Sequence, residues 1–445
     1  MRILIAGAGE VGFHLAKDLA MEGQDIVLVD PDRHRLEHAS NTLDIQTIEG
    51  DATCPNTLSK AGIANASLLV AATNLEARNM TICTIGKQLG VKRTIARISN
   101  LQHLRNKQNI DYQALGIDIM ISPTELAALE ILRLVEHSSF TDHYIFGDNA
   151  LHLVGIRLAA TSSYVGHPLM DMRESGDVRF IPVSIKRGTE TLIPRGNTIL
   201  EVDDFVYFVC ISEALDKVAS LDGIDQVDTE RVMILGGSRI GARAAELLSK
   251  EFFTKLIEID RDKAVRLTDE LPNTLVLNGD GRNVEFLEEE DISATDLFIA
   301  VTGQTETNIM SCLVAKSKGV KKTIALVENI DYMNFSQAVG VDTMLNKKLI
   351  AANSIFRFVR KGSVVSVASI RGVDAEVLEF EVNEKSKVIN KPIRELKIPP
   401  GAIIGGVIRD GVGKVTLGDF IILPGDHVVV FTMPDNMDKV ERFFR

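Results

Sequence analysis

Apolar residues fill positions 3 to 6 of the chain, the run breaks at Gly7, Gly9 and Gly12, and beyond it apolar positions recur at helical spacing. The pattern predicts a strand, a tight loop and a helix. Later apolar runs each close on polar residues: DIVLVD on Asp30, IQTIEGD on Gly50 and Asp51, and SLLVAATN on Thr73 and Asn74. The run TIARI carries Arg97, and the stretch from about Glu76 to Leu89 before it has helical spacing. Strand alternating with helix, five times over, predicts an α/β fold with a doubly wound parallel sheet. A helical pattern from Thr124 to Val135, with Leu126, Leu129, Ile131, Leu132 and Val135 apolar, completes the unit.

The pattern then repeats over residues 231–360. RVMILGGSRIG supplies Gly236, Ser238 and Gly241 as a second glycine loop, and KLIEID ends on Asp260 in the role of Asp30. LVLNGD brings Gly279 and Asp280, LFIAVTG brings Thr302 and Gly303, and GVKKTIA at 319–325 answers GVKRTIA at 90–96. Cys83 against Cys312 and Asn79 against Asn308 hold the same register, so the chain contains two copies of one domain.

Between and after the copies the periodicity changes to short β runs: LHLVGIRL, RFIPVSIKR and DDFVYFVC, then VLEFEV, AIIGGVIRD and DHVVVF. His167-Pro168-Leu169 pairs with Lys391-Pro392-Ile393, and Gly196 to Asp204 pairs with Gly418 to Asp426. Each module reads as a small α+β lobe with little room for a catalytic apparatus. The expected plan is a Rossmann-like lobe at 1–123, a connecting helix and linker at 124–149 and a small lobe at 150–227. A second Rossmann-like lobe follows at 230–348, a second helix and linker at 349–367 and a second small lobe at 368–445, with a polar linker near Ser220 to Thr229.

Length and charge narrow the function. At 445 residues there is room for three or four cores, and a net charge of -12 without a basic patch speaks against nucleic acid or anionic lipid as a general partner. The four cysteines are widely spaced without a CxxC pair, as small buried residues in a reducing compartment would be. No apolar run approaches the roughly twenty residues of a membrane helix, and the apolar start runs into the glycine loop too soon for a signal peptide. His137, His143, His152 and His167 lack ligand spacing and read as surface residues in loops or on edges. No metal site or catalytic set stands out.

The glycine loop is the candidate chemistry. Gly7 permits the turn, Gly9 lets the backbone approach a pyrophosphate, and Gly12 lets the helix pack closely on the strand. The phosphate then meets free N–H groups at the helix start. Asp30, ending the next strand, accepts from both ribose hydroxyls and repels a 2′-phosphate, which favours NAD or an adenosine nucleotide over NADP. An NAD-dependent oxidoreductase carries the same fingerprint, but a second Rossmann lobe occupies the place its substrate domain would need.

The tandem plan resembles the regulatory subunits of Trk potassium-uptake systems, built of two regulator-of-potassium-conductance (RCK) units, each a Rossmann lobe plus a small C-terminal lobe. The resemblance covers essentially the whole chain. It implies a non-enzymatic, nucleotide-sensing subunit, peripheral on the cytoplasmic face of the inner membrane, that gates an integral membrane potassium transporter. NAD(H), with ATP or ADP as alternatives, would be the ligand, and a homotetramer would close a ring of lobes. Carried over by position, the contacts are Gly7, Ala8, Gly9, Glu10, Val11 and Gly12 in the loop, Asp30 at the ribose, Asp51 near the adenine, and Thr73, Asn74 and Arg97 at strand ends. In the second copy they are Gly236, Ser238, Arg239, Ile240, Gly241, Asp260, Asp280 and Thr302, with Ser238 in place of the middle glycine and Leu326 in place of Arg97. The stretches Thr124 to Val135 and Leu349 to Val359 match at Ala127 and Ala351, Ile131 and Ile355, Arg133 and Arg357, and Val135 and Val359, and form either a seam of the ring or private core.

Overall fold

A computed structural model describes residues 1–21, 23–105, 109–136, 140, 142–147, 149–172, 179–188, 190–222, 229–329, 332, 339–359, 364–369 and 375–444. His137 and most of the polar linker after Ser220 lie outside the described residues. The chain divides into two compact units, residues 1–132 with 230–359, and residues 133–229 with 360–445.

The first unit holds both Rossmann lobes. Lobe 1 runs β1 (Arg2–Ala6), α1 (Glu10–Met21), β2 (Asp25–Asp30), α2 (Arg33–Thr42), β3 (Gln46–Glu49), α3 (Pro55–Lys60), β4 (Leu68–Ala71), α4 (Glu76–Gln88) and β5 (Arg93–Arg97). A short α5 (Gln102–Arg105), β6 (Ile119–Ile121) and α6 (Pro123–Glu136) follow. The sheet order is β3-β2-β1-β4-β5-β6, with every pairing parallel. This is the doubly wound order, which reverses direction between β1 and β4 and opens a crevice at their carboxyl ends. The three-residue β6 is the strand that the fivefold alternation does not include.

Lobe 2 repeats the sheet strand for strand. To keep one count along the chain, the small lobe between takes β7 (Asp142–Phe146), β8 (Leu151–Arg157), β9 (Phe180–Arg187), β10 (Glu190–Leu192), β11 (Phe205–Cys210) and α7 (Leu215–Ala219). Lobe 2 is then β12 (Arg231–Leu235), α8 (Arg239–Leu248), β13 (Phe253–Glu258), α9 (Arg261–Glu270), β14 (Leu275–Asn278), α10 (Val284–Glu289), β15 (Leu297–Ala300), α11 (Thr305–Ser317), β16 (Lys322–Leu326), β17 (Thr343–Leu345) and α12 (Lys347–Val359). Its order is β14-β13-β12-β15-β16-β17.

The two lobes meet through a packed helix and a set of ion pairs. α12 of lobe 2 packs on α1 of lobe 1, where Ala351 and Ile355 join Ile3, Val11, Leu15 and Leu19 in one buried cluster. In the other direction Glu125 on α6 accepts a two-point fork from Arg243 on α8, at 2.7 and 2.8 Å. Arg243 also meets Glu246 at 2.9 Å, and Arg105 of lobe 1 reaches Glu246 at 2.7 Å, so charges alternate across the boundary. The hydrogen bond to Glu125 leads the effects that push the Arg243 guanidinium above its ordinary value. Burial works against ionising Glu246, and the two arginines outweigh it and hold its carboxyl below the ordinary range. Ala127, Ile131, Ala351 and Ile355, read as ring seam or private core, are thus buried inside the chain.

Asp18 on α1 makes this unit pH-sensitive. Burial pushes its carboxyl up to about 6, with only the charge of Lys17 opposing. A carboxyl whose pKa is raised on folding contributes its stability below its ordinary 3.8 and loses it as the pH climbs through about 6. Asp18→Asn is therefore expected to stabilise the protein by roughly 1–2 kcal/mol at pH 7.5 and by nothing below about pH 4, as urea unfolding at the two pH values would report.

The second unit holds both small lobes. Lobe one forms the five-stranded sheet β10-β9-β11-β8-β7. Its counterpart has β18 (Val364–Ser369), β19 (Glu376–Glu381), β20 (Ala402–Arg409), β21 (Val412–Val415), β22 (His427–Thr432) and α13 (Met437–Phe444), with sheet order β18-β19-β22-β20-β21. Strand β7 and the first four residues of β18 fall in stretches read as linker. Val183, Tyr207 and Val209 of one sheet share a buried cluster with Val377, Val429 and Phe431 of the other. The internal repeat is visible in detail: Arg187 forks Asp204 at 2.8 and 2.7 Å, and Arg409 forks Asp426 at 2.7 Å on both arms.

Two of the histidines read as surface residues are buried instead. His143 and His152 lie on paired strands with rings 5.1 Å apart, at 4% and 1% exposure. Ser212 Oγ donates to the Asn149 carbonyl at 3.0 Å, so it accepts from His152 Nε2 at 2.9 Å. That leaves His152 Nδ1 as acceptor for His143 Nε2 at 2.8 Å, so the hydrogen-bond chain sets both tautomers. His167 is exposed. Among the described residues no helix is long and apolar enough to cross a membrane, and no three metal-binding side chains gather.

Candidate functional site

The loop between β1 and α1 is built by two glycines with different duties. A Cβ on Gly12 would stand 1.9 Å from the Gly7 carbonyl oxygen, so α1 lies against the turn at a distance open only to glycine. A Cβ on Gly9 would meet nothing within 4 Å. The protein does not need that position bare for its own packing. It leaves backbone open beside the free N–H groups of the helix start, as a phosphate requires. Ala8 and Val11 face the core at 6% and 4% exposure, and Glu10 projects outward.

Asp30 is buried at the end of β2 and pins the loop. Its Oδ2 accepts from the Ala8 N–H at 2.6 Å and its Oδ1 from the Asp32 N–H at 2.8 Å. A carboxylate offers about four acceptor directions, and the two backbone bonds use two of them. Asp51 follows β3, and the backbone and hydroxyl of Thr53 donate to it at 2.9 and 2.8 Å, which holds its carboxyl below the ordinary range.

At the end of β4 the Thr73 hydroxyl donates to Asn79 Oδ1 at 2.6 Å, and Asn79 Nδ2 donates to the carbonyls of Thr73 and Arg97 at 3.0 and 2.8 Å. Asn79 thereby ties β4 to β5, and Thr73 positions backbone. Asn74 is exposed beside it. Arg97 is half-buried, and its guanidinium has no hydrogen-bond or ion-pair partner among the described residues. Burial pulls its guanidinium below its ordinary value, with only the charge of Glu10 opposing. An unpaired, partly desolvated guanidinium at a strand end awaits an anion. Glu76 on α4 holds the segment beyond it by accepting from the Ser99 and Asn100 N–H groups at 2.8 and 2.7 Å.

Lobe 2 has the same frame with a different charge pattern. Glu258, not Asp260, stands where Asp30 stands: it accepts from the Gly237 N–H at 3.1 Å and from the Asp260 N–H at 3.0 Å. Asp260 caps α9, as Asp32 caps α2. The shift arises because α8 is two residues shorter than α1 while the segment joining it to β13 is one residue longer, so that β13 begins one residue sooner after the glycine loop. Glu258 also pairs with Lys263 at 2.6 Å, and Asp280 is forked by Arg282 at 2.8 Å, so both acidic positions already carry a cation. Ser238 turns away from the cleft: its hydroxyl donates to the Val301 carbonyl at 2.8 Å and accepts from the Gly241 N–H at 3.2 Å. Gly236 repeats the turn, with φ +102°, and Ile240 is buried. Thr302 and Asn308 repeat the Thr73–Asn79 node, at 2.6 Å. Arg239 is exposed, and its charge acts on Glu76 of lobe 1. Leu326, in place of Arg97, is buried.

One residue near the lobe 1 site has no signal in its local sequence. Lys348, at the start of α12, places Nζ 2.5 Å from Glu10 Oε2. Of the cysteines, Cys83, Cys210 and Cys312 are buried and Cys54 is exposed. Burial pushes the Cys83 and Cys210 thiols up to about 12, which keeps them protonated.

Family models place this chain among known sequences. The TrkA-N domain matches residues 3–123 and 232–347, and the TrkA-C domain matches 153–223 and 377–445. The chain is 34% identical over 453 residues to the Trk system potassium uptake protein TrkA of Halomonas elongata, covering 100% of this chain and 99% of the relative. It is 33% identical to the protein of that name from Haemophilus influenzae, again covering 100% and 99%. Among solved structures, the GsuK channel bound to NAD superposes with a TM-score of 0.62 at 16% identity, covering 100% of this chain and 78% of that one.

Proposed function

The chain belongs to the family of Trk system potassium uptake proteins TrkA, and from that premise we propose that it is a nucleotide-binding regulatory subunit that controls a membrane potassium transporter without catalysing a reaction. The observation that carries the reading is the lobe 1 crevice. There the bare backbone at Gly9, the two spare acceptor directions of Asp30 and the unpaired guanidinium of Arg97 lie at the carboxyl ends of β1, β2 and β5 of one sheet. A phosphate fits the helix start, a ribose diol fits Asp30, and Arg97 supplies charge. NAD(H), ATP and ADP meet those demands, and NADP(H) meets them less well because a 2′-phosphate approaches Asp30. The residues Gly7 to Gly12, Asp51, Thr73 and Asn74 frame this site. Lobe 2, with its acids already paired, is the weaker site.

Within the family reading, the subunit sits on the cytoplasmic face of the membrane against its transporter. Four chains, each already a two-lobed pair, close an eight-lobed ring, a mass that light scattering reads directly. Bound nucleotide controls the transporter only by preferring one state of that ring.

The test is a thermal-shift series on the purified protein. Near 100 times Kd, NAD(H), ATP or ADP is expected to stabilise it by about 2.7 kcal/mol, and NADP(H) by less. With NADH and a panel of hydroxy acids, ketoacids and aldehydes, no oxidation above background is expected. Stabilisation by NADPH above all others would remove the ribose argument, and saturable turnover would replace the regulator with a dehydrogenase.

A further inference from the structure

The two small lobes repeat one another residue for residue, with Arg187 at the place of Arg409 and Asp204 at that of Asp426, so Val183, Ser184 and Thr191 of the first correspond to Gly405, Gly406 and Gly413 of the second. Backbone geometry does not ask for those glycines. None of the three has a positive φ, and the bulge that Gly405 occupies in β20 is formed in β9 around Val183. What each glycine leaves open is filled from the first small lobe. A Cβ on Gly405 would stand 2.7 Å from Val209 Cγ2 and 3.0 Å from Val183 Cγ1, one on Gly406 would stand 2.6 Å from Leu151 Cδ1, and one on Gly413 would stand 1.9 Å from the Ala150 carbonyl oxygen. Glycine inside a strand weakens it and is kept where another segment comes close. Val183 thus faces the position of its own counterpart, which puts it near the pseudo-twofold axis relating the two sheets.

We propose that Gly405, Gly406 and Gly413 form a partner-selecting surface on the second small lobe, fitted to the first small lobe of the same chain and closed to like-with-like pairing between chains. Two first small lobes brought together in the same way would press Val183 against Val183 and put Ser184 and Thr191 where the structure has bare backbone. Two second small lobes would face glycine to glycine and leave a gap where Val183 stands, and a gap in a packed contact forfeits its dispersion energy. One arrangement is filled, and the two alternatives are overfilled or empty. Selectivity of this kind rests on the rejected pairings as much as on the accepted one. Each small lobe follows its Rossmann lobe in the chain. On the nucleotide reading above, like-with-like pairing would group two competent lobes together and two weaker ones together, whereas unlike pairing keeps one of each in every pair.

Disulfide trapping in full-length protein carrying Cys54→Ser, which removes the exposed thiol, tests the pairing. Val183 Cγ1 at 3.0 Å from the Gly405 Cβ position puts the two Cβ atoms no more than about 4.5 Å apart, within bridging range. Val183→Cys with Gly405→Cys is therefore expected to run as an internally bridged single chain on non-reducing gels, and Val183→Cys alone is expected to give no bridge between chains. A chain-to-chain bridge in either variant, or no internal bridge in the folded double variant, would overturn the proposal. Unfolding midpoints test the origin of the selectivity. Gly405→Ala is expected to lower the midpoint by about 5–10 °C, and by less than half as much in a Val209→Ala background, where the methyl it would meet is gone. A midpoint within about 1 °C of wild type, or an equal loss in both backgrounds, would mean that the glycine selects nothing. If Gly405→Ala folds in neither background, Val183→Cys decides: a bridge between chains overturns the proposal, and its absence upholds it. Neither readout involves nucleotide.

Discussion

Gly9→Ala is expected to unfold like the wild type in urea and to bind no nucleotide, whereas Gly12→Ala is expected to lose the first Rossmann lobe. The two residues sit three apart in one loop and differ in what surrounds them. A methyl on Gly9 enters empty space, so stability should move by no more than about 0.5 kcal/mol. That same methyl fills the place where a pyrophosphate meets the backbone, and titration with NADH or ATP should show no heat. At Gly12 the methyl would meet the Gly7 carbonyl oxygen at 1.9 Å, and neither partner is a flexible side chain that can swing away. The cost should reach or pass the upper end of overpacking, about 3 kcal/mol, against a total stability of about 5–15 kcal/mol. Gly241→Ala is the control, since its Cβ would stand 2.0 Å from the Gly236 oxygen. It should destabilise lobe 2 comparably and leave nucleotide affinity in any folded fraction intact. Wild-type affinity in Gly9→Ala would mean that no phosphate approaches there.

Asp30 gives the second large effect, and here folding and binding share one side chain. Asp30→Ala orphans the Ala8 N–H, which is buried, and the Asp32 N–H, which water can partly reach. One buried unpaired donor costs about 1–3 kcal/mol, so a loss of roughly 2 kcal/mol is expected together with loss of the nucleotide-induced rise in Tm. The alanine variant alone therefore cannot separate a ribose contact from a collapsed loop. Asp30→Glu can, because Glu258 already makes both backbone bonds in lobe 2. With glutamate, stability should stay within about 1 kcal/mol of wild type while the longer arm misplaces the ribose acceptor and weakens NADH at least about tenfold. Denaturation and thermal shift on the two variants check this; an Asp30→Ala protein as stable as wild type would contradict the geometry.

The positions of the candidate residues in lobe 1 were legible in the chain because each is local to a strand end. An apolar run followed by glycines, or closed by Asp30, Asp51, Thr73 or Arg97, declares its place through periodicity alone, and the crevice then follows from the winding of the sheet. The duplication was legible for the same reason, since equal patterns at equal spacing fold alike. Misread features depend on partners that a local pattern does not contain. The three residues of β6 are too few for a period, and β7 and β18 become strands by pairing with β8 and β19. One residue fewer before β13 moved the acid's duty from Asp260 to Glu258, a shift that only backbone register reveals. His143 and His152 look like surface residues until two strands bring their rings together. Lys348 lies 338 positions from Glu10 and meets it because α12 of lobe 2 packs on α1 of lobe 1. Sequence by itself determined which backbone would cradle a phosphate, because that needs only a strand, glycines and a helix start. Which charges stand around that cradle was decided by tertiary structure, because ion pairs form by distance in space, and only packing brings a lysine of one lobe within 2.5 Å of a carboxylate of the other.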